Sequence, residues 1–206
     1  MTELTQTRDV EEIVRTYDAE ARFRTVSGPI ATAVAVIATG LSLFQLYTAG
    51  AGPLEALKQR SVHLTVVMVL GFLLYPGSKR APRDRPSAVD WALAAATVVT
   101  VGYLFYNFQG LVLRNGVVLP WELVLGACGM VLVLEAARRV LGKELLIMAL
   151  LFLAYAYFGR WLPGMLGHRG YGVDRIIEHM WFGTEGVFGI ALSVSATYMY
   201  LSLIHI

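Results

Sequence analysis

Apolar residues run along this chain in long unbroken blocks, and charged residues are confined to the short stretches between them. Thr25 to Leu54 contains no charged residue, nor does Ser61 to Ser78. Trp91 to Leu113 is a third such run. Leu123 to Leu134 is shorter, but it extends back through Pro120 and Trp121 and forward through Ala136 and Ala137. Leu145 to Gly159, bounded by Glu144 and Arg160, is a fifth, and a sixth begins at Gly186. A helix needs roughly 20 mainly apolar residues to cross the hydrocarbon core of a bilayer. The pattern therefore predicts an all-α, polytopic transmembrane protein with five complete spans and an incomplete or atypical sixth, over 186–206.

The connections carry their own signals. Pro76-Gly77 ends the second run, and Pro82 and Pro86 keep the basic stretch after it from being helical. Asn115-Gly116 reads as a turn, and Pro120 opens the fourth helix near the first-turn position where proline is tolerated. Trp91, Trp121, Trp161, Tyr75 and Tyr103 lie mostly near run ends, where amphipathic rings anchor at the membrane interface. After the fifth run, Val173, Ile176, Ile177, Met180 and Trp181 recur at spacings of three and four, with Asp174, Arg175, Glu178 and His179 on the other side. That spacing predicts a short amphipathic helix over 173–182, lying in the membrane interface.

Composition narrows the class. Of 206 residues, 56% are hydrophobic and 16% charged, against about 25% charged in a typical globular domain. Mean hydropathy is +0.59. These values exclude a soluble enzyme, and a net charge of +2 gives no reason to expect nucleic acid. The bilayer itself is the first partner. Cys128 is the one cysteine, so neither an internal disulfide nor a cysteine-based zinc site is available. The first run is too long for a signal-peptide core, and an acid-rich segment precedes it (Asp9, Glu11, Glu12, Asp18, Glu20). We read an uncleaved first helix after an N-terminal segment of residues 1–27. Lys and Arg in alternate connections sum to eleven on the N-terminal side and six on the other, which places the N-terminus in the cytoplasm.

No nucleotide loop, metal-ligand cluster or nucleophile elbow is visible, so no catalytic residue, cofactor or metal is assigned. His63 reads as an interfacial polar residue at the start of the second helix rather than a proton relay. Asp90 and Glu122 sit at helix starts, where negative charge complements the dipole. Glu135 and Arg139 form a favourable i,i+4 pair. One segment carries more: Gly183-Thr184-Glu185-Gly186-Val187-Phe188-Gly189-Ile190, followed by Ser193, Ser195 and Thr197. Gly189, Ser193 and Thr197 share one helical face, and small residues there let helices approach closely. Glycines around an acid at a membrane boundary also permit a broken helix with exposed carbonyls, as transporters use for ions. Both readings of Glu185, Gly186, Gly189, Ser193, Ser195 and Thr197 stand.

Several blocks in order carry a resemblance over about residues 22–202. They are Gly28-Pro29, then Ser42 through Gly50 (SLFQLYTAG), Arg60-Ser61-Val62-His63-Leu64, and Phe72 through Pro76. Leu134 through Arg139 (LEAARR), His168-Arg169-Gly170-Tyr171 and Thr184 through Ile190 follow, continued by Ser193 through Thr197. Together they resemble the fused membrane subunit of tripartite ATP-independent periplasmic (TRAP) transporters of the TAXI type. The resemblance implies a permease of the bacterial inner membrane, importing an organic solute, often a carboxylate, handed over by a periplasmic binding protein. A Na+ or H+ gradient would drive it. It implies that residues 28–141 are a four-helix small-subunit-like part and that residues 142–206 begin the large transport part. Family members continue for several hundred residues, so we expect this chain to be an N-terminal fragment that needs the remainder of the large subunit. A non-transporting membrane scaffold is the competing expectation.

Overall fold

The computed structural model describes residues 23–78, 81–114 and 116–198. Expectations that fall on the segment before Phe23, on Lys79, Arg80 and Asn115, or on the tail after Tyr198 lie outside the described residues. The chain is all-α, with no strand among the described residues. The main helices are α1 (Gly28–Ala51), α2 (Ala56–Leu74), α3 (Ala88–Leu113), α4 (Pro120–Val140), α5 (Lys143–Phe158) and α6 (Val173–Trp181), followed by one turn, α7 (Ile190–Ser193). Among the described residues, four stretches are long and apolar enough to cross a membrane: α1, α2, α3 and Lys143–Trp161, which is α5 with the 3-10 turn that follows it. The helix read as the fourth span, α4, is not among these four. It is 21 residues long and carries Glu122, Glu135, Arg138 and Arg139.

Local chemistry sets the helix ends. The first turn of α1 contains Pro29, and the helix stops at Gly52, which has φ 102°. Tyr75 is extended before Pro76, as the residue ahead of a proline prefers. Ser87 and Asp90 form a reciprocal capping box at the start of α3. At the start of α4, Glu122 accepts the Leu119 N–H at 2.6 Å. The connection between α1 and α2 is shorter than the charge pattern suggests. Lys58 and Arg60, expected in the loop, are already helical, and Lys58 pairs with Glu55 at 2.8 Å across the first turn.

The central contact is α2 against α3. Leu57, Ser61, Leu64, Met68 and Phe72 of α2 are buried. So are Asp90, Ala94, Thr97, Val101, Leu104 and Leu111 of α3. Their alternating steps of three and four residues give a seam of the kind seen in antiparallel helix pairs. The buried Thr97 and Thr100 hydroxyls donate to carbonyls of their own helix, Leu93 O and Ala96 O, both at 2.9 Å. Around this centre the ordinary burial pattern is inverted. Gln45, Gln59, His63, Asp90 and Glu122 are inside, while Val36, Leu43, Leu46, Phe152 and Trp161 are outside. No residue of α5 is buried. An apolar exterior over a polar interior whose groups mostly bond one another is what a hydrocarbon solvent selects. The molecule is a membrane-embedded helical protein.

Two ionic networks hold the bundle. At one end, Asp90 receives Arg24 Nη2 and Arg139 Nη1, each at 2.6 Å, with all three side chains nearly inaccessible. Arg24 also donates to Leu73 O at 3.0 Å and Pro82 O at 3.0 Å. Glu135 holds Arg139 at 2.8 Å and Arg138 at 2.7 Å. The expected Glu135–Arg139 pair is present as part of this larger set. At the other end, Arg114 Nη2 meets Glu122 Oε1 at 2.6 Å. Tyr103 Oη donates to the same oxygen at 2.5 Å, and Asn107 donates to Tyr103 Oη. Asp90 and Glu122 therefore cap their helices and also bind cations across helices.

The amphipathic helix α6 packs on protein. Ile177 and Trp181 are buried against Gly126 and Gly129 of α4, which leave room that a Cβ would fill. A Cβ on Gly129 would lie 2.2 Å from Trp181 Cζ2, and one on Gly126 would lie 2.8 Å from Ile177 Cγ2. Phe188 meets the Trp181 ring edge-on at 5.4 Å. Val173, on the same predicted apolar face, is exposed.

Candidate functional site

Where α1, α2 and the segment after Gly186 meet, polar side chains cluster inside the protein. Gln45 and Thr48 come from α1. Gln59, Arg60 and His63 come from the first two turns of α2. Gln45 Nε2 donates to His63 Nδ1 at 2.9 Å. With Nδ1 accepting, Nε2 is the donor towards Ser195 Oγ, 3.1 Å away. Gln59 Nε2 donates to Thr48 Oγ1 at 3.0 Å and to Ala196 O at 3.2 Å. Gln59 Oε1 accepts the Leu54 N–H at 3.1 Å, which ties the α1–α2 turn into the same network. Arg60 donates to Phe188 O at 2.5 Å and to Ser193 Oγ at 2.9 Å.

The segment held in this way is irregular. Ser193 N–H bonds Gly189 O at 3.0 Å, closing the single turn of α7. Val194–Tyr198 then continues as a π-helical turn. Wide turns of this kind recur at functional positions, because they free carbonyls and shift the helical register. Gln45, Thr48, Gln59 and Thr197 line a cavity of about 70 Å³ beside the network, together with Ala49 and Pro53. That volume suits about two water molecules, and the lining supplies polar partners for them.

The structure divides the motif that the sequence singled out. Ser193 and Ser195 bond Arg60 and His63, and Thr197 lines the small cavity. Gly189, Ser193 and Thr197 do not form one regular α-helical face, because α7 gives way to the π turn after Ser193. Gly186 and Gly189 shape a tight turn. A Cβ on Gly186 would lie 2.4 Å from Met180 Cα, and one on Gly189 would lie 2.7 Å from Glu185 O. Glu185 stands apart from the polar cluster. Its side chain is 79% exposed, and its carboxylate is 4.0 Å from His179 Nδ1.

His63 differs from its expected interfacial place: it is buried between α1 and Ser195. The reading of the sequence gave no site role to Gln45, Thr48, Gln59 or Arg60. The usable signal was Gln45, an amide alone in a 24-residue helix without charge, since polar groups in a span seek protein partners. Among the described residues no group of three or more His, Cys, Asp or Glu could hold a metal ion. The cluster consists of amides, hydroxyls, an imidazole and a guanidinium aimed at carbonyls. It is suited to holding a backbone segment and a few waters.

Comparison of the chain with protein-family models, curated proteins and solved structures gives no match.

Proposed function

We propose that this chain is a membrane permease component of a secondary, ion-gradient-driven transporter of the TRAP type. In this reading it imports an organic solute of the carboxylate class, delivered by a periplasmic binding protein, across the bacterial inner membrane. The N-terminus lies in the cytoplasm, and the chain acts with the remainder of the large membrane subunit. Its role is not enzymatic. One observation carries the proposal: α2 presents Gln59, Arg60 and His63 to an irregular, small-residue segment and bonds its carbonyls and serines. Helix α2 is thus both part of the α1–α4 bundle and the support for the segment that resembles the start of a transport unit. Broken helices backed by a fixed bundle are how secondary transporters build sites at membrane depth. The coupling ion, Na+ or H+, follows from the resemblance alone.

The test is uptake of labelled carboxylates into proteoliposomes containing this chain, the remainder of the large subunit and a matching binding protein. We expect uptake that needs both an ion gradient and the binding protein. It should fall roughly tenfold in His63→Ala, the effect of ~1.4 kcal/mol, with assembly on size-exclusion chromatography unchanged. Gradient-independent uptake, or a His63→Ala protein with full activity, would overturn the proposal.

A scaffold without transport chemistry is the second reading, favoured by the exposure of Glu185 outside the cluster. Glu185→Gln separates the two. Loss of uptake with assembly intact supports transport, whereas loss of both supports packing.

A further inference from the structure

Away from the polar cluster, α4, α5 and α6 enclose a cleft of about 650 Å³. Val133 and Ala137 of α4, Ala149, Phe152 and Ala156 of α5, and Ile176 of α6 supply much of its wall. Protein interiors pack densely and keep few voids larger than a water molecule. A space of this size falls in the roughly 300–1,000 Å³ range of sites that hold an organic ligand. One wall is α5, which has no buried residue, so the cleft adjoins the hydrocarbon phase.

The lining is apolar except at one side, where Arg169, Arg175 and His179 enter it. Arg175 already shares Glu178 at 2.9 Å, and His179 faces Glu185 at 4.0 Å. Arg169 differs. Its guanidinium lies over the Tyr171 ring, 5.5 Å from the centroid, and no carboxylate pairs with it among the described residues. A guanidinium stacked on an aromatic face keeps its N–H edge free for a planar or phosphate anion.

We propose that this cleft is a binding site for an anionic membrane phospholipid, with one acyl chain between α4 and α5 and the phosphodiester at Arg169. The site depends only on the protein's being membrane-embedded, so it stands or falls separately from the transport reading. An acyl chain fills an apolar space that dense packing would otherwise close, and a monoanionic headgroup complements Arg169, which unlike Arg175 in the same lining has no carboxylate partner among the described residues. The lipid wedges α5 against α4 and so fixes the approach to α6.

The test is native mass spectrometry of the full chain after equilibration with equal dioleoylphosphatidylglycerol and dioleoylphosphatidylcholine. We expect one retained lipid, with phosphatidylglycerol favoured about fivefold, the factor that ~1 kcal/mol per cationic residue yields. Arg169→Gln should bring the two lipids to parity without loss of helicity, because the side chain is exposed. Ala149→Phe should fill the cleft and abolish retention. If that variant fails to fold, the Arg169→Gln comparison decides alone. Equal retention of the two lipids by the native chain, retention by a folded Ala149→Phe protein, displacement of phospholipid by oleate, or a lipid-free dimer closing the cleft would each overturn the proposal.

Discussion

Gly129 is a point at which a single methyl group should disturb the packing of α6 on α4. A Cβ there would lie 2.2, 2.3 and 2.6 Å from Trp181 Cζ2, Cη2 and Cε2. Carbon atoms rest at about 3.5–4.0 Å, so the indole would have to withdraw by more than about 1 Å. It has little room, being 1% exposed and backed by Phe188 at 5.4 Å. Gly129→Ala therefore overpacks the α4–α6 contact and should cost about 1–3 kcal/mol. For a chain of this length that is a fall of about 2–12 °C in Tm, at ~2–4 °C per kcal/mol. Thermal melting in detergent, followed by circular dichroism at 222 nm, measures it. Trp181→Phe alone should cost about 1–2 kcal/mol through the space it leaves. Combined with Gly129→Ala, the smaller ring should accommodate the methyl group, so the double variant melts above the sum of the two losses by ~0.5–3 kcal/mol of coupling. Gly102→Ala is the control: nothing lies within 4 Å of its Cβ position, so better helix propensity should leave Tm unchanged or raised. Equal behaviour of Gly129→Ala and Gly102→Ala, or strict additivity in the double variant, would refute the close approach of α6 to α4.

Other substitutions probe the buried polar groups. Asp90→Asn leaves Arg24 inside without its carboxylate and Arg139 with Glu135 alone. It should destabilise by about 3–5 kcal/mol, and an unchanged melt would show that the network carries no weight. Glu122→Gln removes the charge facing Arg114, which is 28% exposed; a smaller loss of about 1–3 kcal/mol is expected in the same assay. Ser61 Oγ is buried without a hydrogen-bond partner among the described residues, so Ser61→Ala should be neutral or stabilising by about 1 kcal/mol, and a clear loss of Tm would reveal a partner. Cys128 is exposed on α4. In intact liposomes it should react slowly with a charged, impermeant maleimide and quickly once detergent dissolves the membrane; rapid reaction beforehand would put α4 outside the bilayer.

The helices were largely legible because their signals are local. An uncharged run, a proline at a first turn and an acid at a helix start each act within a few residues, and α3 and α4 begin at or close to the residues those signals mark, Asp90 and Pro120. Which polar groups would meet was much less so. Gln45 and His63 are 18 positions apart, and Gln59 reaches the carbonyl of Ala196, 137 positions away. Pairing of that kind depends on helix packing, which leaves no periodic trace in one sequence. Lys58 and Arg60 read as loop residues because charge usually marks a membrane edge. In the structure their charges are answered by Glu55 and by the carbonyl of Phe188, so the helix can begin before them. The amphipathic stretch was visible as a helix. What would cover its apolar face was decided by the glycine spacing on α4, a feature that apolar periodicity alone passes over.

The placement of the two ionic networks has a mechanical consequence. Asp90 with Arg139, and Arg114 with Glu122, clasp α3 to α4 near opposite ends, the anchoring residues lying roughly 25 Å apart along α4 and about 36 Å apart along α3 at 1.5 Å rise per residue. In hydrocarbon, two apolar helices can slide past each other with little penalty, since one leucine neighbour replaces another. Here a shift of one helical turn would unclasp both ends together and separate two ion pairs, Asp90 from Arg139 and Arg114 from Glu122. The pair is therefore locked in axial register and behaves as a strut. The π turn at Val194–Tyr198 is tied in differently, by hydrogen bonds from Gln59 and His63 rather than by ion pairs, so it is not held to that register.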